Sequence, residues 1–432
     1  MKKYCLPFCF AIIAFSVEGY SQFDKQITEE QISIEKKKEV LDTISKLLIK
    51  NYIFPDMAEK MASMLRQKQT DFNYIETTSF IQFARMINQD LIDISSDKHI
   101  LIRFIGNANK PLKPSQPAPV DTSYGIMKVD ILPGNIGYLK FNYFPPGSDE
   151  QARTKYGNVF TYFKSASAII IDLIDNFGGN TQMEAYLCSY FFSGPPRHLW
   201  DGYYRPGDTI YKFYTEKDID GIRHADIPVY VLTSSGTFSA GEAFAYDLQA
   251  QKRAKIIGEI TGGGAHATAA FDIGHGFMIR IPVTKITNAV TNRDWEGVGV
   301  KPDIKCIQYE ALDMAYTCAL KEATTNTNDR TEKKFLLRIL NEKQRQETKF
   351  IKANEKLKEY SGNYGIRKII YSKGKTYFQR ENEPLIPMEV SGKDLFVWAD
   401  NRTTIRFTRN TGGVIIGFDI IRPNETISVK KG

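Results

Sequence analysis

Ser239 stands in TSSGTFSAGEAFAY, residues 233–246, where an apolar run, VYVL, meets a helix-like run, AGEAFAYDLQA. A serine at the end of a parallel strand and the start of a helix exposes its hydroxyl at the carboxyl edge of the sheet. α/β proteins bind ligands at that edge. The next amide, of Ala240, points outward at the helix start and, helped by the helix dipole, suits an oxyanion. Ala240 and Gly241 are small enough for a substrate to approach closely. A plain N-cap serine occupies the same position equally well, and local spacing does not separate nucleophile from cap. A second stretch, DLIDNFGGN (172–180), ends an apolar run in a carboxylate, an amide and two glycines. Gly178 and Gly179 can offer N–H groups without side-chain obstruction, enough for the other half of an oxyanion hole. A Gly-rich turn that only reverses the chain has the same composition.

Taken in order, DLIDNFGG, TSSGTFSAGEAFAY, GEITGGGAHA and DWEGVGVKPDI resemble the C-terminal processing (tail-specific) serine peptidase superfamily over about residues 90–310. The resemblance implies that Ser239 is the nucleophile and that Gly178 or Gly179, with Ala240, lends the oxyanion amides. Members with a Ser-Lys dyad carry a lysine where Gly264 stands in TGGGAHA. They also carry a PDZ domain before the core, and the few dozen residues between His99 and Asn135 cannot hold one. The chain is therefore similar to the branch containing the tricorn protease core and interphotoreceptor retinoid-binding protein. In that branch a histidine before the core is the base and a glutamate near its end is the acid. The matching residues are His99, in SSDKHILIRF, and Glu296, in DWEGVGVKPDI.

Such a set is chemically coherent. The serine hydroxyl needs a base, and neutral imidazole suits that task near neutral pH. A carboxylate orients the imidazole and stabilises its charged form. Lys98, beside His99, departs from the family pattern; it either lowers the histidine's basicity or faces solvent. Asp294 is the alternative carboxylate, and Asp303 reads as turn chemistry. His266 reads as loop structure or pocket lining, with replacement of His99 as base left open. The triad calls for no metal and no organic cofactor. The expected function is hydrolysis of peptide bonds in a peptide or protein substrate. The alternatives are a non-catalytic binder of apolar ligands or peptides on the same fold, and an acyl-ester hydrolase.

The elements that must position these residues are legible in outline. Three runs between residues 27 and 95 show apolar spacings of three and four, a helical N-terminal region at 23–105. From 106 to 323, apolar strand centres such as SAIIIDLID and PVYVLTSS alternate with helices. That pattern predicts an α/β core with a mostly parallel sheet covered on both faces, and the resemblance implies the ClpP/crotonase-like kind. GFMIRIPV reads as a further strand of it. Residues 324–358 are charged and read as a helical linker. Residues 359–432 hold short β runs between Gly, Asn and Lys-Gly turns, a small antiparallel β-domain.

Composition excludes several classes. The net charge of +7 over 432 residues is mild, and the lysines form no basic stripe, so nucleic acid is not an expected partner. The opening MKKYCLPFCFAIIAFSVEGYSQ has two lysines and then a short apolar run, which reads as a signal peptide at 1–22. The expectation is export to the periplasm or the medium of a bacterium, with no transmembrane segment. Cys188, Cys306 and Cys318 are too few for a disulfide framework, and no Cys-x-x-Cys or His-rich cluster points to a metal.

Overall fold

The computed structural model describes residues 31–106, 121–381, 383–399, 402–423 and 425–432. The leader at 1–22 and most of the Pro- and Lys-containing loop after Gly106 lie outside these residues. The described chain is a mixed α/β protein of two compact units, one ending at Ala319 and the other running Leu320–Gly432.

The first unit opens with four helices: α1 (Ile34–Asn51), α2 (Pro55–Lys68), α3 (Phe72–Glu76) and α4 (Phe80–Ser95). Their starts follow capping chemistry. Ser33 accepts from the Lys36 N–H, Pro55 takes the first turn of α2, and Ser79 accepts from the Gln82 N–H. Val40, Leu41, Ile44 and Leu48 form one buried stripe of α1. α4 ends at Ser96 in a left-handed conformation, φ 58°. The chain then turns through Asp97–His99 into β1 (Leu101–Phe104).

The core follows as β2 (Ile126–Leu132), β3 (Ile136–Phe141), α5 (Glu150–Tyr162), β4 (Ala168–Asp172), α6 (Thr181–Cys188), β5 (His198–Tyr204), β6 (Thr209–Tyr214), β7 (Val229–Thr233), α7 (Ala240–Ala250), β8 (Lys255–Gly258), β9 (Ala267–Gly274), β10 (Phe277–Asn288) and β11 (Ile304–Lys305). Six strands form a sheet in the order β11-β8-β7-β4-β3-β2. All its pairs are parallel except β2 with β3. Every residue of β4 and β7 is buried, and each aliphatic side chain so placed contributes about 1.5–3 kcal/mol. Asp172 pairs with Leu232 across β4 and β7. The turns that follow the two strands therefore leave the sheet side by side.

A second sheet has the order β1-β10-β5-β6, with β9 also on β10, and all its pairs are antiparallel. GFMIRIPV belongs here and not to the parallel sheet. Ile279, Ile281 and Val283 of β10 pack with Val40, Ile44, Phe83 and Ile87 of the N-terminal helices. One face of this sheet thus serves as the floor of the helical layer. β5 and β6 escaped the sequence reading; their aromatic alternation ends in a Trp200–Phe213 stack, 3.8 Å between ring centres.

α8 (Gln308–Asn326) spans the boundary between units, and α9 (Arg330–Ala353) follows. Asp329 caps α9, in which Leu336 is buried. Then come β12 (Gly362–Tyr364), β13 (Arg367–Ser372), β14 (Lys375–Arg380), β15 (Ile386–Gly392), β16 (Leu395–Trp398), β17 (Thr404–Arg409), β18 (Ile415–Arg422) and β19 (Glu425–Lys430). Each pairs antiparallel with the next. Lys373 and Gly374 both have positive φ, 45° and 81°, the two-residue turn that matches strand twist in a hairpin. Tyr364, Phe378, Phe396, Phe407 and Phe418 fill the interior of this second unit.

Candidate active site

Ser239 sits between β7 and α7 with φ 53° and ψ −120°. Glu242 makes a capping-box bond to the Ser239 N–H, yet the Ser239 backbone is not the extended one of an ordinary N-cap. A non-glycine residue held there costs about 1–3 kcal/mol, and such residues cluster at functional sites. The strain is held by the neighbouring turn. Thr237 Oγ1 donates to the Leu173 carbonyl at 2.7 Å, Ser234 Oγ donates to the Ile174 carbonyl at 2.6 Å, and the Phe238 N–H donates to the Asn176 carbonyl at 3.0 Å. The serine turn and the DNFGG turn are thereby one structure.

Gly178 lies against Ser239. A Cβ built on it would stand 2.7 Å from Ser239 Cβ, and its φ is +100°. Only glycine permits both. Its N–H donates to Asn176 Oδ1 at 2.9 Å. A Cβ on Gly179, φ +145°, would meet the Phe144 carbonyl oxygen at 2.3 Å. Gly178 and the Ala240 N–H thus border the serine, Gly179 packs on the Phe144 backbone, and the Gly178 N–H already serves Asn176.

Sequence reasoning missed Glu242. It is fully buried and accepts from the N–H groups of Ser239 (2.9 Å), Gly263 (2.7 Å) and Gly264 (2.8 Å), and from Thr261 Oγ1. Burial raises its pKa and these donors lower it, the balance being upward. Glu242 ties the serine to the loop of three glycines. The signal was present as Ser-x-x-Glu, the spacing of a capping box.

His99 follows the α4 turn. Asp97 shapes that turn: its Oδ1 accepts the His99 N–H and its Oδ2 accepts the Tyr52 hydroxyl, each at 2.9 Å. The His99 ring lies 4.6 Å from the ring of Phe238, the residue before the serine. Both ring nitrogens are shielded from solvent, and neither has a hydrogen-bond partner. The resting chain thus brings His99 beside the serine turn without a hydrogen bond to Ser239 or Glu296. Burial, with the nearby His266 and Arg280, pushes its pKa down to about 3. Lys98 donates to the Gly262 carbonyl at 2.7 Å.

Glu296 Oε2 accepts the Ala265 N–H at 2.6 Å and lies 4.0 Å from His266 Nε2. Its histidine neighbour is His266 and not the expected His99. Burial, then the charge of Asp97, pushes Glu296 up to about 8. Asp294 Oδ1 accepts the Glu296 N–H at 3.0 Å, which shapes the turn. Asp303 accepts the Ile256 N–H and joins β11 to β8. Among the described residues no group of three or more His, Cys, Asp or Glu side chains is placed to hold a metal ion, and no helix is long and apolar enough to cross a membrane.

Residues 135–306 match the model of peptidase family S41, and residues 33–132 match that of the N-terminal domain of Peptidase_S41 in eukaryotic IRBP. A curated relative, carboxyl-terminal-processing peptidase 2, chloroplastic, of Arabidopsis thaliana, is 29% identical over 185 residues, 40% of this chain and 33% of that protein. The match thus spans about a third of the relative's length. Among solved structures, a lipoprotein from Streptococcus agalactiae is 13% identical, covering 66% of this chain and 96% of that one, with a TM-score of 0.46. The tricorn protease is 14% identical, covering 67% of this chain and 37% of that one, with a TM-score of 0.43. The chain belongs to the C-terminal processing peptidases, peptidase family S41, a family of serine-type peptidases.

Proposed function

We propose that this chain is a serine peptidase that hydrolyses peptide bonds with Ser239 as nucleophile, His99 as base and Glu296 as supporting carboxylate. The observation that carries the reading is the strained Ser239, pinned between the glycine turn and the His99 loop. Ser239 Oγ attacks the peptide carbonyl and His99 takes its proton, then returns it to the leaving amine. The N–H groups of Ala240 and Gly179, with Gly178 once released from Asn176, receive the oxyanion. Resting hydrogen bonds of catalytic groups are often long and tighten only with substrate, which accommodates the unpartnered His99 ring. That same ring favours a second reading, a chain that binds apolar ligands or peptides without cleaving them. The leader-like residues 1–22 support export.

A fluorophosphonate probe separates the readings. Wild-type protein is expected to be labelled at Ser239, and Ser239→Ala to be silent while remaining folded. Labelling that persists in Ser239→Ala, or that maps to Ser234 or Ser235, rejects the assignment. An unlabelled wild type favours the binder.

A further inference from the structure

His266 immediately precedes β9 and is buried, yet neither ring nitrogen has a hydrogen-bond partner. An unsatisfied buried polar group costs about 1–3 kcal/mol. The ring meets the Phe54 ring edge-on, 5.6 Å between centres. The titratable and charged groups around it are Glu296, at 4.0 Å from Nε2, His99 and Lys285. Its nearest carboxylate is anchored by the Ala265 N–H, one residue earlier in the chain. His99 is the second buried imidazole with both nitrogens unpartnered. Two imidazoles and a carboxylate have complementary unmet needs, since each neutral ring carries one donor and one acceptor.

We propose that His266 is a positioning residue that couples Glu296 to His99. Its Nε2–H donates to the Glu296 carboxylate, and its Nδ1 accepts the N–H of the His99 ring. Closing 4.0 Å to a hydrogen bond of about 2.9 Å takes a side-chain shift of about 1 Å. The carboxylate then fixes the tautomer of His266, and His266 fixes that of His99, so the other His99 nitrogen is left as acceptor for the Ser239 proton. No net transfer of atoms occurs along this chain of bonds. The relay replaces the direct carboxylate–base contact that a serine triad would have, and it rests on the reading of Ser239 and His99 given above.

Fluorophosphonate labelling rates of the full chain test it in a double-mutant cycle of His266→Ala and Glu296→Gln. The single His266→Ala change is expected to slow labelling about 10²-fold, the scale of a lost acid–base contribution. In the Glu296→Gln background the same change is expected to add little, because the relay is already broken. A merely structural role would give equal losses in both backgrounds, which overturns the proposal, as does wild-type labelling in His266→Ala. Labelling kept by His99→Ala but lost in His266→Ala also overturns it, making His266 the base. Where His266→Ala does not fold, His266→Leu of similar bulk replaces it; its side chain can neither donate to Glu296 nor accept from His99, so the same slowing is expected. A wild type that is not labelled at Ser239 rejects the underlying reading, a result distinct from all of these.

Discussion

A Cβ on Gly264 would stand 2.6 Å from Cε1 of His99 and 2.3 Å from the Phe238 ring. The space that a side chain at 264 would need is filled by the imidazole and the phenyl ring. Gly264→Ala is therefore expected to displace His99. Overpacking of this kind costs about 1–3 kcal/mol, and a misplacement of about 1 Å can slow chemistry about 10²-fold. Circular dichroism melts and fluorophosphonate labelling measure the two effects. Gly264→Ala with wild-type labelling would show that the histidine is not required where it stands.

Glu296 should control the pH dependence. Its carboxyl is held up to about 8, while His99, pushed down to about 3, stays neutral through the ordinary range. The carboxylate is the form that supports the base. The rate constant for labelling or peptide cleavage is thus expected to rise as pH increases through about 8. Glu296→Gln should be slower and flat over that window. A wild-type profile that is flat from pH 6 to 9, or an unchanged step in Glu296→Gln, would remove Glu296 from the mechanism.

Lys98 is expected to matter little for the basicity of His99, because its ammonium binds the Gly262 carbonyl. An exposed contact of this kind is worth about 1 kcal/mol or less. Lys98→Met should lower activity less than about tenfold on that energy scale, Lys98→Arg should restore most of it, and neither should move the pH profile. A shift of the step near pH 8 in Lys98→Met would show that the ammonium acts on the Glu296 carboxyl after all.

Away from the site, Glu184 and Asp247 are fully buried, and Cys188 Sγ donates to Glu184 at 3.1 Å. Burial pushes both carboxyls up; for Asp247 the charge of Glu184 adds to it. A carboxyl raised in the folded state holds its proton better than the unfolded chain does. Its stabilising contribution is present below the unfolded value of about 4.3 and is lost as pH rises through the folded one. Glu184→Gln, neutral at every pH, is expected to gain thermal stability relative to wild type as pH increases from 5 to 9. Parallel Tm-versus-pH curves for the two proteins would sink this assignment.

The sequence alone determined what depends on local pattern and motif order. Apolar runs ending in DNFGG and SSGTFS specify buried parallel strands with turns at one edge, and four ordered motifs identify the family. The helix starts at Ser33, Pro55 and Ser79 follow from capping chemistry that reaches only a few residues. Only the tertiary structure decided which side chains meet across long separations. Glu296 reaches His266 rather than His99, Glu242 gathers Ser239 with the glycine loop, and Asp97 holds the His99 turn through Tyr52. β10 left the parallel sheet because its alternating face packs on the N-terminal helices. Periodicity shows that a strand has a buried face but not what buries it. Those neighbours are set by packing between segments distant in sequence, where a shift of one residue in register exchanges every contact.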